Sequence, residues 1–139
     1  MGVEMPILEW NDGYSVGVKI IDDEHKQLLA MINKAYDSIK DMEEEKILGE
    51  LVKDMCDYAQ GHFATEERLM KEHGFPAAEG HKKMHDDFTL RSETLDKFIS
   101  SGDHVEPLKV FKFLADWLRD HILKTDKVFG EFLNEKGVK

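Results

Sequence analysis

Apolar positions recur at helical spacing along most of the chain. His25, Leu28, Leu29, Ile32, Tyr36 and Ile39 fall on one stripe, the period of an amphipathic helix. Asp22 is placed to cap its start, and Asp23 and Glu24 put negative charge in the first turn, where the helix dipole favours it. A second stripe of Leu48, Leu51, Met55, Tyr58, His62, Glu66 and Met70 predicts a helix from about Glu44 to His73. Gly74 closes it, as glycine does just past a helix end. Pro76 suits the first position of a third helix, whose stripe is His81, His85, Phe88, Leu95 and Phe98, with Gly102 beyond its end. Pro107 opens a fourth, carrying Val110, Phe111, Leu114, Trp117, Leu118, His121 and Phe132 before Gly137.

Residues 1 to about 20, with Gly2, Pro6, Gly13 and Gly17, read as an irregular arm. Outside it no strand-like alternation is sustained. Short links force consecutive helices to lie antiparallel. The expectation is an all-α protein: an antiparallel up-down-up-down four-helix bundle, one domain over residues 1–139, with the arm at 1–20 and the bundle at 21–139.

Composition narrows the function. The chain has 139 residues, enough to bury roughly two thirds of its unfolded surface as one domain. A net charge of −10 argues against a nucleic-acid groove and against an anionic membrane surface. No run approaches the ~20 apolar residues that span a bilayer. Glu4 and Glu9 interrupt anything resembling a signal peptide, so a cytoplasmic location is expected. The single cysteine, Cys56, excludes an internal disulfide and reads as a buried thiol. The acidic run Glu43–Glu45 reads as a solvated helix face.

Histidine is the informative residue. Of seven, His25, His62, His81, His85 and His121 fall on inward stripes, while His73 and His104 fall in predicted loops. A lone histidine on an apolar face is ordinarily a core group bonded to a carbonyl. Five in one small bundle bring many ring nitrogens that all need partners, and a shared metal satisfies them together. His62 and Glu66 are four apart, as are His81 and His85, so each pair projects from one helix face. Each pair alone is a weak signal. Asp126 follows His121 by five residues, which is about 140° round an ideal α-helix. A bulge or a sideways reach is needed to bring it in. Gly61, beside His62, leaves open whether another backbone approaches there.

Together these residues resemble a known family, the single-domain bacterial hemerythrins. The resemblance rests on Trp10 in the arm, Gly17-Val18…Ile21-Asp22…His25, His62-Phe63…Glu66-Glu67…Met70, Phe75-Pro76…His81…His85, and Trp117…His121-Ile122…Asp126. Glu24 departs from the glutamine common in the family, outside the ligand set. The resemblance implies two irons, one held by His81, His85 and His121, the other by His25 and His62. Glu66 and Asp126 would bridge both, with a solvent-derived oxo or hydroxo group as a third bridge. That set leaves one position open, on the two-histidine iron, for dioxygen or a small anion such as azide.

In the family the oxygen pocket is lined where Leu118 and Ile122 stand here; plain core packing also accounts for Leu118, and both readings can hold at once. Ferritin-like di-iron oxidases use Glu-x-x-His motifs, and this chain has none. Zinc also takes histidine and carboxylate, but a bridged pair with an open position suits a redox metal better. The expected function is reversible dioxygen binding for storage, delivery or scavenging, without catalysis. The alternatives are an oxygen- or redox-sensing module and a di-iron enzyme acting on peroxide or nitric oxide.

Overall fold

The structure, a computed structural model, describes residues 10–40, 45–100 and 107–139. The expectations for Gly2, Glu4, Pro6, Glu9, Gly102, His104 and the first two residues of the acidic run at 43–45 lie outside these. The side chains of Ile39, Leu48, Phe98, Val110 and Phe111 are likewise not described. After a short 3₁₀ turn at Asp12–Tyr14 come helices α1 (Lys19–Lys40), α2 (Glu45–His73), α3 (Ala78–Ser100) and α4 (Pro107–Asp120). One turn of π-helix, His121–Asp126, then leads without a break into α5 (Lys127–Glu135). The run from Pro107 to Glu135 is the fourth rod of a four-helix bundle, with α1 packed on α2 and α4, and α2 on α3. No strand occurs among the described residues.

The helix boundaries follow from local chemistry, and two differ from expectation. Gly17, at φ 79°, turns the arm so that α1 starts early, with the Asp22 N–H donating to the Val18 carbonyl at 2.9 Å. Asp22 is therefore inside the helix and not its cap. Its carboxylate reaches back, accepting from Ser15 Oγ at 2.6 Å and from the Val16 N–H at 2.8 Å, and so pins the arm. Pro76 does not open α3. It sits in a turn closed by the Ala78 N–H donating to the Phe75 carbonyl at 3.2 Å, where its fixed φ suits the second position. Gly74 ends α2 as expected, at φ 68°. There the Phe75 N–H donates to the Met70 carbonyl at 3.0 Å, and both side chains share one apolar cluster, the pattern of a Schellman cap. His73 is the last residue of α2 and half-buried, not a loop residue. Cys56 is half-buried, not sealed.

Among the described residues two apolar clusters hold the bundle. The larger joins Leu28, Leu29 and Ile32 to Val52, Met55, Phe63, Phe88, Leu114, Leu118 and Ile122. The smaller joins Val16 and Val18 of the arm to Ile21, Met70, Phe75, Phe129 and Leu133. Each such side chain, fully buried, contributes about 1.5–3 kcal/mol. The histidines lie between the clusters: the Phe63 ring stacks on His85 at 4.0 Å, and Phe129 meets His81 edge-on at 5.7 Å.

Candidate metal centre

All seven candidate ligands converge. His25 comes from α1, His62 and Glu66 from α2, His81 and His85 from α3, and His121 and Asp126 from the two ends of the π turn. None is more than 5% exposed. Their donor atoms form two groups. One is Glu66, His81, His85, His121 and Asp126; the other is His25, His62, Glu66 and Asp126. Three histidines stand in the first group and two in the second, and both carboxylates belong to each.

The distances show how the carboxylates are shared. Asp126 Oδ1 lies 3.0 Å from His81 Nε2 and 3.1 Å from His121 Nε2, while its Oδ2 lies 2.9 Å from His25 Nε2. Glu66 Oε1 lies 3.1 Å from His85 Nε2 and 3.6 Å from both His62 Nε2 and His81 Nε2. Two imidazole nitrogens, His85 Nε2 and His121 Nε2, face each other at 3.2 Å. Donors each about 2.1 Å from one ion, at right angles, stand about 3.0 Å apart.

Hydrogen-bond accounting gives the same result. Nine buried side-chain nitrogen and oxygen atoms among the described residues lack a hydrogen-bond partner, and all but Ser92 Oγ belong to His25, His62, Glu66, His81 and Asp126. Buried polar atoms left this way are costly, and cations would satisfy the carboxylate oxygens of Glu66 and Asp126 and one ring nitrogen of each of His25, His62 and His81. The donor set, five imidazoles and two carboxylates, fits a pair of transition-metal ions such as iron.

Electrostatics prepares the donors. Burial, reinforced by the neighbouring His121 and His81, pushes the His85 imidazole down to about 2. Burial also lowers His62, against the opposing pull of Glu24. Both rings are therefore neutral and carry a free lone pair near pH 7. Burial works to raise Asp126, but His121, His25 and His81 outweigh it and hold the carboxyl well below its ordinary range. Glu66 is pushed well above that range by burial and then by the charge of Asp126. A bound cation supplies the positive charge that Glu66 needs to ionise.

Several supporting residues were not evident from spacing. His62 Nδ1 lies 2.7 Å from Glu24 Oε1, and His85 Nδ1 lies 3.1 Å from Glu67 Oε2. These contacts cross between helices, where periodicity along one helix carries no signal. Trp117 stacks on His121 at 4.6 Å and 15°. Leu118 and Ile122, each 1% exposed, lie in the larger apolar cluster with Phe63. Gly61 faces open space, so no close backbone approach explains it.

Comparison with known proteins agrees. Residues 16–133 match the Hemerythrin family, described as the hemerythrin HHE cation binding domain. A bacteriohemerythrin of Pseudomonas aeruginosa (strain LESB58) is 35% identical over 123 residues, covering 88% of this chain and 78% of that protein. One from Methylococcus capsulatus (Bath) is 30% identical over 131 residues, covering 94% and 99%. A crystal structure of wild-type hemerythrin superposes with a TM-score of 0.86 at 29% identity, covering 91% of this chain and 98% of that one. With its bundle and its paired histidine–carboxylate groups, the chain belongs to the hemerythrin HHE cation-binding family.

Proposed function

We propose that this chain binds dioxygen reversibly at a pair of irons, for storage, delivery or scavenging, and catalyses no turnover. The observation that carries the reading is the asymmetric pair of donor groups joined by Glu66 and Asp126. In this reading His81, His85 and His121 would hold one iron, His25 and His62 the other, and Glu66 and Asp126 would serve both. Bound there, an iron pair would supply two electrons and a place to bind dioxygen or a small anion such as azide.

The protein's own contribution is binding, orientation and exclusion of water. The neutral imidazoles of His62 and His85 offer lone pairs without losing a proton first. Asp126, held ionised by three histidines, is a ready bridge. Leu118 and Ile122, sealed in the larger cluster beside His121, keep the oxygen pocket dry. The histidine-rich donor set leaves less negative charge on the metals than a carboxylate-rich one, which supports carriage over oxidation chemistry. The domain is taken as one unit over 1–139, arm and bundle together, working in the cytoplasm. No helix among the described residues is long and apolar enough to cross a membrane.

The test is metal analysis of the iron-supplied protein, with visible spectra before and after oxygenation of the reduced form. Two irons per chain and a colour that appears with oxygen and fades on its removal are expected. One metal or none, or a spectrum indifferent to oxygen, would refute the proposal.

A further inference from the structure

Each metal group contains one histidine whose outer nitrogen meets a carboxylate: His62 with Glu24 at 2.7 Å, and His85 with Glu67 at 3.1 Å. A carboxylate only accepts, so in both pairs Nδ1 donates and Nε2 keeps its lone pair. Those Nε2 atoms face Glu66 Oε1, at 3.6 Å and 3.1 Å, as His81 Nε2 also does at 3.6 Å. The tautomer is thus fixed from outside the centre, by one carboxylate per group.

The two pairs are not equivalent. The second oxygen of Glu24 lies 3.2 Å from Thr65 Oγ1, a neutral brace one turn along α2 from His62 whose single proton is shared with the Gly61 carbonyl at 3.2 Å. The second oxygen of Glu67 has Lys82 Nζ at 4.0 Å, a cation that it shares with Asp86 at 3.2 Å and that draws some charge away from the histidine. Glu24 also makes the shorter contact. It is 22% exposed, against 30% for Glu67, so solvent screens it less. A carboxylate hydrogen-bonded to the far nitrogen makes an imidazole a stronger donor to a metal.

We propose that Glu24 is a positioning residue that makes His62 the strongest imidazole donor of the centre, and thereby controls the reduction potential and retention of the ion in the two-histidine group. The proposal rests on the di-iron reading and adds a regulator to it. A stronger donor favours the higher oxidation state, so Glu24 lowers the potential of the ion that carries the exchangeable position. Thr65 holds the carboxylate in register, and Glu67, partly compensated by Lys82, exerts the weaker effect on the three-histidine group.

The experiment compares iron-loaded wild type with Glu24→Gln, Glu24→Leu, Glu67→Gln and Thr65→Val. Glutamine keeps the shape and an acceptor oxygen but removes the charge. Glu24→Gln is expected to fold, keep two irons, show a higher reduction potential and release its first iron to a chelator about 10-fold faster or more. Glu24→Leu exceeds it in both respects, and Glu67→Gln and Thr65→Val shift the potential less. Nitrogen-15 NMR of the zinc-loaded protein gives an independent reading. A slowly exchanging His62 Nδ1 proton is expected in wild type and Glu24→Gln, and its loss in Glu24→Leu. Wild-type potential and wild-type release in Glu24→Gln, or a Glu67→Gln shift as large as its own, overturns the proposal. A wild-type chain that takes up no iron pair defeats the di-iron reading instead, and the NMR comparison still decides whether Glu24 fixes His62.

Discussion

His121 Nε2 lies 3.1 Å from Asp126 Oδ1, although five residues separate them. In an α-helix that separation leaves side chains on different faces, about 140° apart. The single π turn over His121–Asp126 removes the difference, because its widened turn brings residues five apart over one another. Asp126 then has one oxygen on His81 and His121 and the other on His25. One of the two carboxylates shared by the metal groups is therefore placed by one irregular turn, and the other, Glu66, comes from regular α2.

A shared ligand and an unshared one should behave differently on removal. Asp126→Ala takes a donor from both groups and is expected to lower retention of both irons. His62→Ala removes a donor from the two-histidine group alone, so one iron should persist. Iron per chain after chelator challenge reads this directly. Equal loss of both irons in His62→Ala would contradict the asymmetric assignment. Azide should bind the oxidised protein at one per chain; two per chain would contradict it as well.

Leu118 offers a test of the proposed dry oxygen pocket. It is 1% exposed in the larger apolar cluster, and truncation to alanine at such a site costs about 2–5 kcal/mol. Iron content should hold while the oxygenated form decays faster, because water reaches the centre. Decay at the wild-type rate would leave Leu118 as packing alone.

Much of this was legible in the sequence, for a physical reason. Helical stripes report which residues face inward, and burial of His25, His62, His81, His85 and His121 follows from their places on those stripes. Asp126 was not legible from spacing, because a π turn has no periodic signature. Asp22 and Pro76 were misplaced because general end preferences yielded to particular contacts, the carboxylate bonds to Ser15 and Val16 and the turn closed on Phe75. Glu24 and Glu67 act across helices, and one chain's periodicity does not encode which helix face meets which. Cys56 looked like a core thiol, but it lines a cavity of about 180 Å³ between α2 and α3 with Val52, Gln60 and Ser92.

Two helical glycines predict opposite signs. Gly61 is exposed and faces open space, so Gly61→Ala should stabilise by roughly 0.5–1 kcal/mol. Gly130 is buried, and a Cβ there would meet the Val16 carbonyl and side chain of the arm. Helix preference alone favours alanine at both positions. Gly130→Ala should nevertheless destabilise by about 1–3 kcal/mol, since backbone must move. Denaturant midpoints decide, and a stabilised Gly130→Ala would mean that the arm does not pack as described.

Stability of the metal-free protein should depend on pH in a direction set by the histidines. An unfolded histidine takes up its proton near pH 6.5, whereas folded His85 does so only at about 2 and folded His62 is likewise lowered. Below about pH 6.5 the unfolded chain therefore binds more protons at these positions, and stability falls as pH falls. Glu66 acts in the opposite sense: raised in the folded state, it binds its proton first, so its contribution declines as pH rises above the ordinary glutamate value of 4.5. Asp126, lowered, contributes above 3.8 and loses that contribution below it, outside this window. Between pH 6.5 and 4.5 two histidines oppose one carboxyl, and the net result is loss of stability on acidification. Urea unfolding of the chelator-treated protein at pH 7.5 and pH 5 should show the lower midpoint at pH 5. The iron-loaded protein should unfold later than the metal-free one at pH 7.5, because bound metal stabilises only the folded chain. A metal-free midpoint that rises on going to pH 5 would mean that His62 and His85 are not held neutral in the folded core.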